Sequence, residues 1–169
     1  MLDVVTMVYA GLTNKNVVAT LQKYGCDAIG LSGADGNVIK AIKRPMREID
    51  YGLVGDILAD SVNGSAIKKF LDSGFTPVFS AITHNGSGQL FNTNADTIAS
   101  ALSVALSELY ETSLIYCFEK NGVLSDVDDE HSVIETITSA QFDKLKTQGI
   151  IYDGMIPKLQ NAFDAIHKG

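Results

Sequence analysis

The sequence predicts an α/β fold with a largely parallel central sheet. Short apolar runs of strand length alternate with stretches whose apolar residues recur at helical spacing, and glycines or capping residues stand at the joins. The first helix is marked by Val4, Val5, Val8 and Leu12, then Val17, Val18, Leu21 and Tyr24, with Gly25 as its stop and Gly11 and Thr13 as places where it would break or bend. Residues 27–31 (DAIGL) read as a buried strand followed by a Gly-rich loop, residues 32–36. Residues 37–57 read as a β excursion, with strands at 38–42 and 53–57 around a polar connector containing Pro45. Ser65 is positioned to cap a helix over 66–73 that Gly74 ends.

The second half repeats the alternation. Residues 76–82 (TPVFSAI) predict a second buried strand, and Asn85-Gly86-Ser87-Gly88 a tight turn toward Leu90 and Phe91. Ile98, Leu102, Ala105 and Leu109 define a helix face, and residues 113–118 (SLIYCF) a third buried strand. Thr138-Ser139-Ala140-Gln141 has the form of a capping box and opens a helix ending near Gln148-Gly149. A final helix carries Leu159, Phe163 and Ile166 on one face.

Composition narrows the function classes. Across 169 residues, 46% apolar and 20% charged residues suit one globular domain, residues 1–169, with a proper core. A net charge of −7 leaves no basic footprint, so no nucleic-acid partner is expected. The N-terminus lacks the basic and apolar regions of a signal peptide, and no apolar run approaches the ~20 residues needed to span a bilayer. The expectation is a soluble, cytoplasmic protein without a membrane partner. Cys26 and Cys117 each lie in an apolar stretch and are expected as buried free thiols.

Two stretches concentrate groups suited to chemistry. Asn92-Thr93-Asn94-Ala95-Asp96 and Asp153-Gly154-Met155-Ile156-Pro157-Lys158 each place polar or charged groups at a helix start, where unpaired N–H groups attract anions. The asparagine amides suit an acylated amino acid, since each both donates and accepts; the same residues, with Asp96, also serve as ordinary helix caps. A lysine in a first helical turn opposes the macrodipole, which makes sense where an anion intervenes, although a solvated surface lysine has the same spelling. Residues 32–36 lack the Gly-Lys-Ser/Thr ending of a P-loop, and an ordinary turn is the simpler reading. Asp126, Asp128, Asp129 and Glu130 miss the calcium-loop spacing and read as a solvated acidic loop. His84, His131 and His167 are scattered, so no metal site is predicted. No Gly-x-Gly-x-x-Gly turn supports a dinucleotide fold.

Taken in order, Asn14-Lys15, Gly30-Leu31-Ser32-Gly33-Ala34-Asp35-Gly36, Gly52-Leu53-Val54-Gly55, Pro77-Val78, the Asn92 to Asp96 stretch, Gly122-Val123-Leu124 and Gly154 to Lys158 resemble the N-acetylglutamate kinases of the amino-acid kinase family over essentially the whole chain. The resemblance implies a three-layer αβα sandwich, an incomplete amino-acid kinase fold, with a substrate side over about residues 1–90 and a nucleotide-binding side over about 91–169. It implies ATP-dependent phosphorylation of the γ-carboxylate of N-acetyl-L-glutamate, or another N-acylglutamate, in arginine biosynthesis. Asn92 and Asn94 would bind substrate, Asp96 would orient catalytic lysines, and Lys158 would neutralise the transferring phosphoryl group. Glu119, Lys120, Asn121, Gly122, Val123, Leu124, Ile150, Ile151, Tyr152 and Gly154 would form the nucleotide side. ATP would arrive with Mg2+ held mainly by phosphates and water, and the protein would be a homo-oligomer, a dimer.

Family members also begin with a strand bearing a second catalytic lysine, a glycine-rich phosphate nest and a substrate-binding arginine, none of which is located in residues 1–169. A further strand is expected beyond Gly169, and Glu119 stands where many members have aspartate. One preorganised charge donor is worth about 3–4 kcal/mol in the transition state, so the chain is expected to be inactive alone. The alternative function is a non-catalytic nucleotide-binding or assembly module of the same fold.

Overall fold

A computed structural model describes residues 1–119, 121–126, 128–151 and 155–168. The chain opens with α1 (Leu2–Thr6), a π-helical stretch (Met7–Thr13) and α2 (Asn14–Lys23), which follow one another without a break. Gly11 and Thr13 therefore mark widened turns and not a break. Gly25, at φ +77°, stops α2: its N–H donates to Gln22 C=O, and Cys26 N–H reaches Leu21 C=O at 3.1 Å. The chain then enters β1 (Ala28–Leu31), which pairs in parallel with β4 (Thr76–Phe79).

The helix lies tightly on this pair. Asn14, nearly fully buried, donates its amide to Val78 C=O at 2.8 Å, and Lys15 Nζ reaches Gly30 C=O at 3.2 Å. Gly30 permits the approach, because a Cβ there would collide with Asn14 Oδ1 and sit 2.6 Å from Lys15 Nζ. The loop after β1 is closed by its own hydrogen bonds and runs into a 3-10 turn, Asp35–Asn37. The N–H and hydroxyl of Ser32 both donate to Asp35 Oδ2 at 2.7 Å, and Gly33 N–H donates to Ile82 C=O.

The excursion after it is real but shifted. β2 (Ile42–Lys43) pairs antiparallel with β3 (Gly55–Asp56); in the earlier part of the predicted strand, Ile39 and Lys40 make isolated bridges to Val62 and His84, and Val38 and Ile39 are buried in the core. They form one cluster with Ile67 of α3 (Gly64–Asp72) and Ile98 of α4 (Ala95–Ser107). Asn63, not Ser65, caps α3: its Oδ1 accepts from Ala66 N–H, and Ser65 donates to that same oxygen. The single strand predicted over 76–82 is two. After β4 the chain leaves the parallel pair, and β5 (Ile82–His84) forms an antiparallel hairpin with β6 (Leu90–Asn92) around the Asn85–Gly88 turn.

The third predicted strand, 113–118, has no ladder partner among the described residues, and Ile115 is 80% exposed. Its apolar run is real, but a strand exists only by hydrogen bonding to a neighbour, which the run itself cannot specify. Cys117 is accordingly exposed and Cys26 half-buried; both are free thiols, but neither is buried as expected. A second cluster holds Phe142 of α5 (Ser139–Thr147), Ile151 and Met155, with Leu159 and Phe163 of α6 (Ile156–Lys168) packed on it. The Thr138–Gln141 capping box is formed. Ile166 and Leu109, expected on buried faces, are exposed, and Ala165 is buried in α6 instead. The acidic residues at 126, 128, 129 and 130 are exposed as expected. Among the described residues no helix is long and apolar enough to cross a membrane.

Two outcomes follow from this packing. Gly30→Ala should destabilise the fold by about 2 kcal/mol or more in urea unfolding, since the added methyl must displace Asn14 from Val78. The second concerns His84, whose Nδ1 accepts from Gly86 N–H at 3.2 Å, leaving the proton on a buried Nε2 that has no partner among the described residues. Burial, and then the charge of Lys40, lower its pKa from the ordinary 6.5. The unfolded chain binds this proton more readily, so stability falls as pH drops through 6.5 toward the lowered folded value. Between about pH 7.5 and about pH 5.5, His84→Gln should therefore lose less melting temperature than the parent. An equal loss would remove His84 as the cause.

Candidate active site

The β5–β6 hairpin delivers the first of the two polar stretches to the mouth of a cleft of about 560 Å³. Asn92 ends β6, with its N–H donating to Leu53 C=O at 3.0 Å. Thr93 turns inward and is buried, its hydroxyl 2.7 Å from that of Thr83 and 3.2 Å from Gly55 C=O. That anchor fixes where Asn92 and Asn94 emerge, and both line the cleft with Asn14, Arg44, Val54, Ser80 and Ala95. Asn94 is also the N-cap of α4, its Oδ1 accepting from Thr97 N–H at 3.0 Å. That oxygen is committed to the helix, and only the amide NH2 of Asn94 is left for a ligand.

One residue past the cleft wall, Asp96 occupies the first turn of α4 and accepts from Lys158 Nζ at 2.7 Å. Both side chains are about one-quarter exposed (25% and 27%), so the pair faces solvent without dissolving into it. One turn further on, Ser100 donates to Asn161 C=O at 3.1 Å. These two contacts advance together along α4 and α6, so the helices run in the same direction with their N-termini side by side. The sequence separates Asp96 and Lys158 by 62 positions, and the fold makes them partners. Two helix starts and an ammonium group form a local electropositive centre that the single carboxylate only partly offsets.

Two contributors were missed by the sequence reading. Tyr116, inside the predicted strand 113–118, donates its hydroxyl to Asp96 C=O at 3.2 Å and ties that segment to the start of α4. Burial, and then the nearby Asp96 charge, raise its phenol pKa above the ordinary 10.0, so it stays a neutral donor. Arg44 lines the cleft and is bound by Nε and Nη2 to Asp56 Oδ1 at 2.9 and 2.7 Å. Neither residue belongs to a motif, and nothing in the linear order marks them.

The nucleotide-side residues are distributed unevenly. Glu119 and Asn121 are exposed, and Gly122, Val123 and Ile150 are half-buried. Leu124 and Ile151 have buried side chains, which leaves backbone as their means of touching a ligand. Lys120, Tyr152 and Gly154 lie outside the described residues. Gly122 is packed against Val133, where a Cβ would come within 2.7 Å of Val133 Cγ1.

The asparagine-lined cleft thus adjoins a lysine–aspartate pair at two helix starts. The sequence pattern of the amino acid kinase family matches residues 1–169, and the chain belongs to that family. It is 52% identical over 168 residues to acetylglutamate kinase of Bacteroides thetaiotaomicron, covering 99% of this chain and 65% of that relative. It is 51% identical over 169 residues to acetylglutamate kinase of Cytophaga hutchinsonii, covering 99% and 63%. The chain thus spans just under two-thirds of the length of these curated relatives. Among solved structures, smu.665 of Streptococcus mutans UA159 superposes with a TM-score of 0.80 at 29% identity, covering 97% of this chain and 62% of that one.

Tyr116→Phe deletes one hydrogen bond and should cost about 1 kcal/mol in unfolding. The difference between parent and variant ultraviolet titrations should show this phenol ionising above the usual tyrosine range; ionisation with the exposed tyrosines would refute the Asp96 contact.

Proposed function

We propose that the chain carries the substrate cleft and one of the phosphate-binding lysines of an N-acylglutamate kinase, which transfers the γ-phosphoryl group of ATP to the γ-carboxylate of N-acetyl-L-glutamate. The observation that carries this reading is the 2.7 Å Lys158–Asp96 pair at the convergent starts of α4 and α6, adjoining a cleft lined by Asn92 and Asn94. The similarity to acetylglutamate kinases supports the substrate.

A carboxylate is already a nucleophile, so no general base is needed; the work is positioning and charge stabilisation. Asn92 and the free amide of Asn94 hold the acylated amino acid. Lys158 meets the transferring phosphoryl group, and Asp96 keeps the ammonium aimed at it. The N–H groups at the two helix starts add to that field. Residues 119–124 and 150–152, with Gly154, form the adenine side, and Mg2+ accompanies the nucleotide on its phosphates and water. On this reading about residues 1–90 are the substrate side and about 91–169 the nucleotide side of one domain. Val4, Met7 and Leu12, left exposed on the first helix, support a homo-oligomer, and a biosynthetic role supports a cytoplasmic location.

The test joins residues 1–169 to the flanking segments by which the Bacteroides thetaiotaomicron relative exceeds the matched span. The fusion should form ADP in a manner dependent on N-acetyl-L-glutamate, whereas residues 1–169 alone should be slower by at least about 10²-fold. In the fusion, Lys158→Ala should cut kcat by about 10²–10³ with little change in melting temperature, and Asp96→Asn should also depress kcat. ATP binding without phosphoryl transfer would favour a non-catalytic module, and parental rates in both variants would sink the site assignment.

A further inference from the structure

We propose that Tyr9 is a specificity-determining residue of the cleft, its ring closing the end that receives the acyl group of the substrate. The inference rests on the N-acylglutamate reading and deepens it. The placement of Tyr9 follows from the π-helical stretch Met7–Thr13. In an α-helix Asn14 N–H would bond the carbonyl of Ala10, four positions back. Here it reaches the carbonyls of Gly11 and Tyr9, the latter five positions back. At about 100° per residue, an unbroken α-helix would turn Tyr9 roughly 140° away from Asn14 and leave the Ala10 methyl nearest to it. The widened turn brings a ring there instead, and Tyr9, Thr13, Asn14 and Val17 all line the cleft. Asn14 is buried and donates to Val78 C=O at 2.8 Å, which fixes this turn against β4. Turns of this kind are rare and recur at functional sites.

The two ends of the cleft differ. At one, Ala95 leads directly into Asp96 and the Lys158 ammonium, so the carboxylate that is phosphorylated belongs there. At the other, Asn92 and Val54 are shared with a second cavity of about 320 Å³, which Leu2, Val5, Tyr51 and Leu53 also line. Along the first helix Val5 belongs to the second cavity, Tyr9 one turn later to the cleft, and Asn14 and Val17 follow it there. Tyr9 therefore stands where the cleft gives way to the second cavity, on the side away from the Lys158–Asp96 pair. Its side chain is open to a ligand, the residue being 44% exposed. With the amide of the substrate held by Asn92 and Asn94, the alkyl part of the acyl group points away from the phosphoryl group and meets this ring. A short acyl group fits in front of it. A longer one needs the mostly apolar second cavity, which the ring shuts off.

The test takes the fusion described above and measures kcat/KM for N-hexanoyl-L-glutamate relative to N-acetyl-L-glutamate. The two substrates differ only in the acyl chain, so their ratio reads that end of the cleft alone. Tyr9→Ala opens the way to the second cavity and should raise the ratio at least about 10-fold. Tyr9→Phe keeps the ring and should leave the ratio near the parental value. Deleting Gly11 moves Tyr9 from five to four positions before Asn14, so an ordinary α turn keeps the ring in place and the parental ratio should hold. An unchanged ratio in Tyr9→Ala would overturn the proposal, as would an equal loss of kcat/KM for both substrates. So would a rise in Tyr9→Phe as large as that in Tyr9→Ala, or a folded Gly11 deletion that behaves like Tyr9→Ala. Were the deletion not to fold, the comparison of Tyr9→Ala with Tyr9→Phe decides by itself. Absence of turnover with both substrates in the unaltered fusion would instead overturn the N-acylglutamate reading, and this proposal with it.

Discussion

Asp96 and Lys158 solve an electrostatic problem that the packing of α4 on α6 creates. Two helices running in the same direction bring two N-terminal ends together, each equivalent to roughly half a positive charge, and Lys158 adds a full one. One carboxylate at 2.7 Å offsets about half of that total, and the pair is partly shielded from water. What is left is a positive centre of short range, in a chain whose net charge is −7. Its long-range field does not attract anions, so binding at this point depends on local donors arranged in advance. α4 also carries Ile98 into the first hydrophobic cluster, and α6 carries Leu159 and Phe163 against the second. The same helix pair therefore links the two cores and sets the charge centre.

The cleft beside it is built from backbone pairing more than from side-chain clusters. Thr93 is buried and doubly hydrogen-bonded, so the asparagines on either side emerge at set places. The β2–β3 hairpin adds a wall through Val54 and Arg44, and Asn14 fastens the first helix beneath. Buried polar groups of this kind must be satisfied, and each is satisfied by backbone from a distant segment. Register thus becomes position: a shift of one residue in β3 would turn Val54 and Arg44 away from Asn92.

Much of this was legible in the linear order. The helices over 2–23, 64–72, 95–107, 139–147 and 156–168 follow from apolar spacing and caps, and the Thr138–Gln141 box formed as its spelling implies. The two polar stretches drew attention as polar groups near helix starts, and the fold sets Asp96 against Lys158 and puts Asn92 and Asn94 on the cleft wall. Strands were read less well. Residues 76–82 divided where the chain passes from a parallel pair to a hairpin, and 113–118 found no ladder partner among the described residues. Ser65 lost the cap to Asn63, two positions earlier, because either residue type can accept from a first-turn N–H and only the backbone path chooses between them.

By itself the sequence determined the helix periodicity, the stops and caps, the acidic balance and the residue types at two helix starts, because these depend on neighbours a few positions apart. Only the tertiary structure decided that Asp96 meets Lys158, that Tyr116 clasps the same turn, and that Arg44 lines one cleft with Asn92. Each of those rests on backbone hydrogen bonds or packing between segments far apart in the chain, and every residue offers the same backbone donor and acceptor. The choice of partner comes from how the whole chain packs.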